Sequence, residues 1–202
     1  MARKPRIQIA DVVYHVTSRG VDKQLIFDVA TGDREVFLML LQAVVVRYRW
    51  RLHAYCLMGN HFHLLVETPD ANLAAGMQEL KSRYAIWFNT NAGRAGALFE
   101  RRYRSELVER EAHAYELTRY VVLNPVRAKL CGHPRDWCWS SYRAMVGAVR
   151  APQFLYLRGL HDLFGDGPRG IAMYERFVED GIALLQLQAA GLNQPTPASD
   201  AD

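Results

Sequence analysis

Apolar residues recur along this chain with two different periods, and the changes of period divide it into elements. Val12 to Arg19 alternates and is rich in β-branched and aromatic residues, which predicts a strand closed by Gly20. Val21 to Phe27 carries no period and reads as a loop or a short irregular edge. Thr31-Gly32-Asp33 then supplies a cap for a helix through about Tyr48, whose buried face is Val36, Phe37, Leu40, Leu41, Val44 and Tyr48. Leu52 to Met58 and Phe62 to Val66 are strand-like runs meeting at Gly59-Asn60, the composition of a tight hairpin turn. Pro69-Asp70-Ala71-Asn72 offers a turn and an N-cap for a second helix to about Asn89, with Leu73, Met77, Leu80, Tyr84 and Trp87 as its core stripe. After an Asn- and Gly-rich loop to Ala97, the stretch up to Arg104 reads as a strand, and Arg110 to Leu123 as a helix with Ala114, Leu117 and Val121 inside. The order strand, helix, strand, strand, helix, strand, helix predicts an α+β domain, with helices packed on one face of an antiparallel sheet.

The remainder is less regular. Trp137, Trp139 and Tyr142 read as a packed closing segment, with base stacking as the alternative use of the rings. Tyr174, Phe177, Val178, Ile182 and Leu185 have helical spacing, so 151–190 is expected to be a small, mainly helical extension, a candidate lid or DNA-contact element. The main domain is expected over 1–150, and 191–202, with its Pro, Thr, Ser and Asp, as a disordered tail. A chain of 202 residues, 50% hydrophobic, can bury one core of ordinary size. Its longest apolar runs, Val36 to Val46 and Ile182 to Leu187, are too short or too interrupted to span a bilayer, and Met1 to Arg6 leads into no signal-like apolar region, so a soluble cytoplasmic protein is expected. Three cysteines without a CxxC pair fit reduced thiols; Cys131, His133 and Cys138 leave zinc open, with buried structural cysteine the simpler reading.

Net charge is +4 and the pI about 9.0, so position matters more than total. Arg3, Lys4 and Arg6 precede the first acid, as either a solubilising tail or a phosphate-contacting arm. From Arg94 to Arg104 there are four arginines (Arg94, Arg101, Arg102, Arg104) against one acid, with Phe99 and Tyr103 among them. Cations that track phosphates and rings that stack on bases suit a single nucleic-acid strand; the alternative is one solvated basic face. His61 and His63, alternate on a strand, project to one side and could chelate one cation, or could simply be polar residues on a wet sheet. Tyr115 and Tyr120 lie five residues apart, so on a helix they diverge by about 140° and cannot share a site. Tyr120 and Asn124, four apart, stack on one face, although Asn124-Pro125 is also an ordinary helix-boundary signal.

Four ordered segments resemble one family: Tyr14-His15-Val16-Thr17-Ser18-Arg19-Gly20, Met58 to Val66 with His61-Phe62-His63, Leu98-Phe99-Glu100-Arg101-Arg102-Tyr103, and Arg119-Tyr120-Val121-Val122-Leu123-Asn124-Pro125-Val126-Arg127-Ala128. Together they span roughly residues 10 to 145 and look like the single-tyrosine HUH endonucleases of the IS200/IS605 type, in particular the REP-associated tyrosine transposases. The resemblance implies a ferredoxin-like sheet with the histidine strand central and the Tyr120 helix over it. It further implies Tyr120 as nucleophile and His61, His63 and Asn124 as ligands of Mg2+ or Mn2+. The implied substrate is a single-stranded DNA hairpin of the REP palindrome type, cut through a 5′-phosphotyrosine intermediate. Arg19, Lys81 and Arg127 join the arm and the Arg94 to Arg104 cluster as candidate DNA contacts. A free tyrosine, with a pKa near 10, is only about one part in a thousand phenolate at neutral pH, so such chemistry needs a nearby cation. Two rivals stay open: a hairpin-binding regulator without turnover, and a nuclease in which water attacks. Action as a monomer or as a homodimer exchanging the tyrosine helix is equally open.

Overall fold

A computed structural model describes residues 8–27, 32–108 and 111–190. The basic arm with Arg3, Lys4 and Arg6, the capping Thr31 and the 191–202 tail lie outside the described residues. The sheet is built from β1 (Val12–Arg19), β2 (Arg51–Leu57), β3 (His61–Thr68) and β4 (Arg104–Val108), in the order β2-β3-β1-β4 and antiparallel throughout. With α1 (Asp33–Arg47) between β1 and β2 and α2 (Leu73–Asn91) between β3 and β4, this is the expected ferredoxin-like arrangement, and β3 is central as expected.

The alternation along β3 decides what each face holds. Phe62 is fully buried against Phe37 of α1, ring centroids 4.8 Å apart, and Phe37 meets Tyr84 of α2 at 5.1 Å. α2 seats through Gly76 against Trp50 in the connection between α1 and β2, where an added Cβ would lie 2.2 Å from the indole. Trp50 also takes over the expected helix cap: its Nε1 donates to Asn72 Oδ1 at 2.7 Å while the Asn72 amide donates to Tyr48 O, so Asn72 ties the loop together rather than capping α2.

The one-face arrangement holds for α1 and α2 only. The next helix, α3 (Glu111–Val122), covers the opposite face, where Tyr120 meets the ring of His63. Behind α3 sit α6 (Arg158–Phe164) and α7 (Gly167–Ala189), so the extension is helical as expected. Between them run α4 (Asn124–Arg127) and α5 (Tyr142–Met145). Trp137 and Trp139 close the β2 edge: Leu57 O accepts from Trp137 Nε1 at 3.1 Å, and Leu57 N donates to Trp139 O at 2.9 Å.

Two local readings change. The fourth strand starts only at Arg104, because residues 98–100 instead cross the end of β1, with Val21 N donating to Leu98 O and Glu100 N to Arg19 O. The Gly59-Asn60 turn does close the hairpin, through Met58 N to His61 O at 2.9 Å, but neither residue has a positive φ. Gly59 is small because Leu25 would lie 3.0 Å from a Cβ there, and its carbonyl accepts from both Ile26 and Phe27.

Candidate active site

Opposite the aromatic core, the histidine face of the sheet opens into a cleft of about 820 Å³. β3 contributes His61 and His63, β1 contributes His15, Thr17 and Arg19, and α3 with α4 contributes Tyr120 and Asn124. Strand alternation puts His15 on this face as surely as His63: Thr17 pairs with His63, and His15 lies two residues further along the same side.

Burial sets the protonation of the β3 histidines. His63 is 6% exposed, and desolvation, followed by His61, His15 and Arg19, holds its pKa well below the ordinary imidazole value. Desolvation and then Arg19 push His61 down to about 4. Both are neutral at physiological pH, the form with a lone pair to offer. Each also has its Nδ1 engaged. His63 Nδ1 lies 3.0 Å from His15 Nε2, and His61 Nδ1 lies 2.7 Å from Asn60 Oδ1. His63 Nε2 is buried and has no hydrogen-bond partner among the described residues.

Tyr120 stands edge-on to this pair, its ring centroid 5.5 Å from His15 and 5.9 Å from His63. The Arg127 guanidinium lies over the Tyr120 ring, 4.7 Å from its centroid, a cation–π contact that restrains the ring. One turn on, Asn124 is buried with its amide nitrogen donating to Tyr120 O at 2.9 Å and to Val121 O at 3.2 Å. Its Oδ1 is therefore the group left for the cleft. Tyr115 is elsewhere: it packs on Phe164 and Phe177 of the helical extension, at 4.5 and 4.0 Å.

The candidate DNA contacts divide. Arg19, Arg101, Arg102 and Arg104 line the cleft with Glu100 and Glu106. Lys81 donates to Arg101 O at 2.7 Å and lies 4.6 Å over Phe99, and Arg94 donates to Gln24 Oε1 at 2.9 Å, so these two hold the 94–103 loop in place. Sequence reasoning missed several residues of the cleft lining as site residues, among them Thr17, Ser18, Glu100 and Leu117 and, with the most consequence for the histidines, His15 and Glu106. His15 sits inside a quoted motif, but its place beside His63 depends on the β1–β3 register, which no local pattern carries. Among the described residues no three His, Cys, Asp or Glu side chains converge on a metal site, so the available donor set is two imidazoles and one amide oxygen, and the zinc reading of Cys131, His133 and Cys138 gains no support.

Residues 8–124 match the family model described as IS200-like transposase. Over 117 residues the chain is 26% identical to a Haemophilus influenzae protein assigned as a REP-associated tyrosine transposase, covering 52% of this chain and 66% of that relative, just under two thirds of its length. Among solved structures, a REP-associated tyrosine transposase bound to a REP hairpin superposes with a TM-score of 0.61 at 16% identity, over 75% of this chain and 89% of the other, a likeness of fold.

Proposed function

The chain belongs to the IS200-like transposases, and on that premise we propose that it is a metal-dependent single-stranded DNA endonuclease and strand transferase, acting on REP-type hairpins through Tyr120. The observation that carries this reading is the convergence, within one chain, of the Tyr120 ring with His15 and His63 at the wall of an arginine-lined cleft. Convergence within one chain also favours a site completed in cis, in a monomer.

His61, His63 and Asn124 fit a divalent ion: two neutral imidazoles, one with an orphaned buried nitrogen, and an amide oxygen whose NH2 is already satisfied. Mg2+ or Mn2+ held there would neutralise a non-bridging phosphate oxygen and orient the phosphorus. The protein's own groups do the rest. Arg19, Arg101, Arg102 and Arg104 hold the phosphates of the strand, and Arg127 keeps the phenol ring in place. Tyr120 Oη attacks phosphorus as its proton leaves to solvent. The P–O3′ bond breaks, the departing oxygen takes up a proton as a 3′-hydroxyl, and the 5′-phosphate stays on tyrosine. A second 3′-hydroxyl can then displace Tyr120, so the ester is conserved and strands are exchanged. A protein with this substrate works on the nucleoid in the cytoplasm.

The test is a denaturing gel of the protein with labelled DNA, a REP-type hairpin with single-stranded flanks, and Mn2+. A slow-migrating covalent adduct is expected, retained in Tyr115→Phe and absent in Tyr120→Phe. Cleavage without an adduct would favour attacking water, and hairpin binding with neither would favour the regulator; either result overturns the proposal.

A further inference from the structure

His15 is not in the ligand set proposed above, yet its Nε2 is the atom that engages His63 Nδ1, at 3.0 Å with the rings stacked 9° from parallel. Both side chains are buried, at 7% and 6% exposure. One proton lies between these two nitrogens, and which ring owns it decides what His63 can do. If His15 donates, the proton of neutral His63 moves to Nε2, leaving a buried N–H without an acceptor and no lone pair for a ligand. If His63 donates, its Nε2 carries the lone pair.

The neighbouring carboxylate selects between them. Glu106 gives Oε1 to Arg104 at 3.0 Å and turns Oε2 toward His15 Nδ1 at 4.0 Å. A lone pair on that nitrogen would face negative charge, whereas an N–H faces it with favourable sign. In the neutral His15 ring this puts the proton on Nδ1 and the lone pair on Nε2, so the shared proton belongs to His63. The hairpin turn repeats this logic for His61. Asn60 Nδ2 donates to Lys23 O at 3.0 Å, which fixes the amide with Oδ1 toward the imidazole, and His61 Nδ1–H donates to it.

We propose that His15, oriented by Glu106, is a positioning residue that accepts the Nδ1–H of His63 and fixes the tautomer whose Nε2 lone pair is left for a ligand. The tautomer itself is a property of the metal-free protein; only its consequence for cation binding rests on the reading under Proposed function. A hydrogen-bond partner on the far nitrogen of a metal-binding imidazole is typically worth about 10–100-fold in metal affinity.

Long-range 1H–15N spectra of the histidine rings in the metal-free protein are expected to show His63 protonated on Nδ1 alone. His15→Phe is expected to lose that single tautomer and to bind Mn2+ about 10–100-fold more weakly by EPR. His15→Gln, whose amide oxygen can accept the same proton, restores both. A wild-type His63 protonated on Nε2 overturns the proposal without any variant, and so does a His15→Phe protein with unchanged ring shifts. If the wild type takes up no Mn2+, the metal reading of the site falls, while the ring shifts still decide the part played by His15.

Discussion

Asn124 serves two structures with the two ends of one amide. Its nitrogen donates to the carbonyls of Tyr120 and Val121, which the end of α3 would otherwise leave without partners, and its oxygen is left over for the cleft. It does not cap α4, which has no side-chain cap. The Asn-Pro boundary and the ligand spacing, both visible in the sequence, are therefore compatible, although the cap points back along the chain rather than forward. Aspartate would have no hydrogen to donate there and would set a negative charge against the negative end of α3. Asn124→Asp is thus expected to lose about 1–3 kcal/mol of stability at neutral pH, read from urea unfolding, despite being a stronger cation ligand. Unchanged stability would mean that the amide nitrogen is not spent on the helix end. The face bearing Glu67 carries a second prediction, because His53 first and then Arg51 hold its carboxyl below the usual carboxylate range, against an opposing effect of burial. A depressed carboxyl pKa contributes stability that is present above the unfolded value, about 4.3, and is lost as pH falls through the folded one. Glu67→Gln should lower Tm at neutral pH, with the gap to wild type closing in acid; a gap constant down to about pH 3 would remove the ionic explanation. At this scale the five-residue spacing made it legible that Tyr115 and Tyr120 cannot share a site, and the four-residue step from Tyr120 to Asn124 together with the family resemblance pointed to Tyr120. The roles of His15 and Asn60 were not legible, since each depends on which strand or loop lies alongside.

Among the elements, α3 has the most to hold: it carries Tyr120 over one face of the sheet and is backed by α7. Arg119 stacks 4.1 Å over Phe177 and donates to its carbonyl at 3.2 Å, and Tyr174 OH donates to Thr118 O at 3.4 Å. The two helices approach this closely because residue 181 is glycine. A Cβ there would lie 2.5 Å from Arg119 Cδ and 2.8 Å from Leu123 Cδ1. Gly181→Val is therefore expected to cost about 1–3 kcal/mol through overpacking and to lower the yield of Tyr120 adduct, since α3 can no longer seat at the same height. Urea unfolding and the denaturing gel read the two effects separately. A variant as stable and as active as wild type would mean that α7 merely lies beside α3. The periodicity of Tyr174, Phe177, Val178, Ile182 and Leu185 made α7 legible as an amphipathic helix. Its docking partner was not, because an apolar stripe states that something must cover it and leaves open what.

Over the whole molecule, a modest surplus of charge is concentrated where the fold brings distant segments together. Arg19 ends β1, while Arg101, Arg102 and Arg104 lie on the loop that crosses it and on the first residue of β4, so one cleft wall combines cations some eighty positions apart. Two of them already have carboxylate neighbours, Arg101 with Glu100 at 3.3 Å and Arg104 with Glu106 at 3.0 Å. Exposed pairs of this kind are weak, so phosphate can compete for the guanidinium without a large penalty. The order of elements made an α+β domain legible and the family resemblance implied the ferredoxin-like sheet, whose strand order β2-β3-β1-β4 places β3 and β1 side by side. Composition could not separate cleft arginines from structural cations: Lys81 and Arg94 belong to the same basic stretch of surface, yet both are bound to the loop they support. Salt dependence separates them. Each phosphate contact removed should reduce the slope of log affinity against log salt by about 0.7 to 0.9. Fluorescence anisotropy of a labelled hairpin titrated at several salt concentrations is therefore expected to give a shallower slope for Arg102→Ala than for wild type. Arg94→Ala, which loosens the loop without losing a phosphate contact, should weaken binding with the slope unchanged. Equal slope changes in the two variants would place both arginines on the DNA and dissolve the division of the basic cluster into cleft wall and loop support.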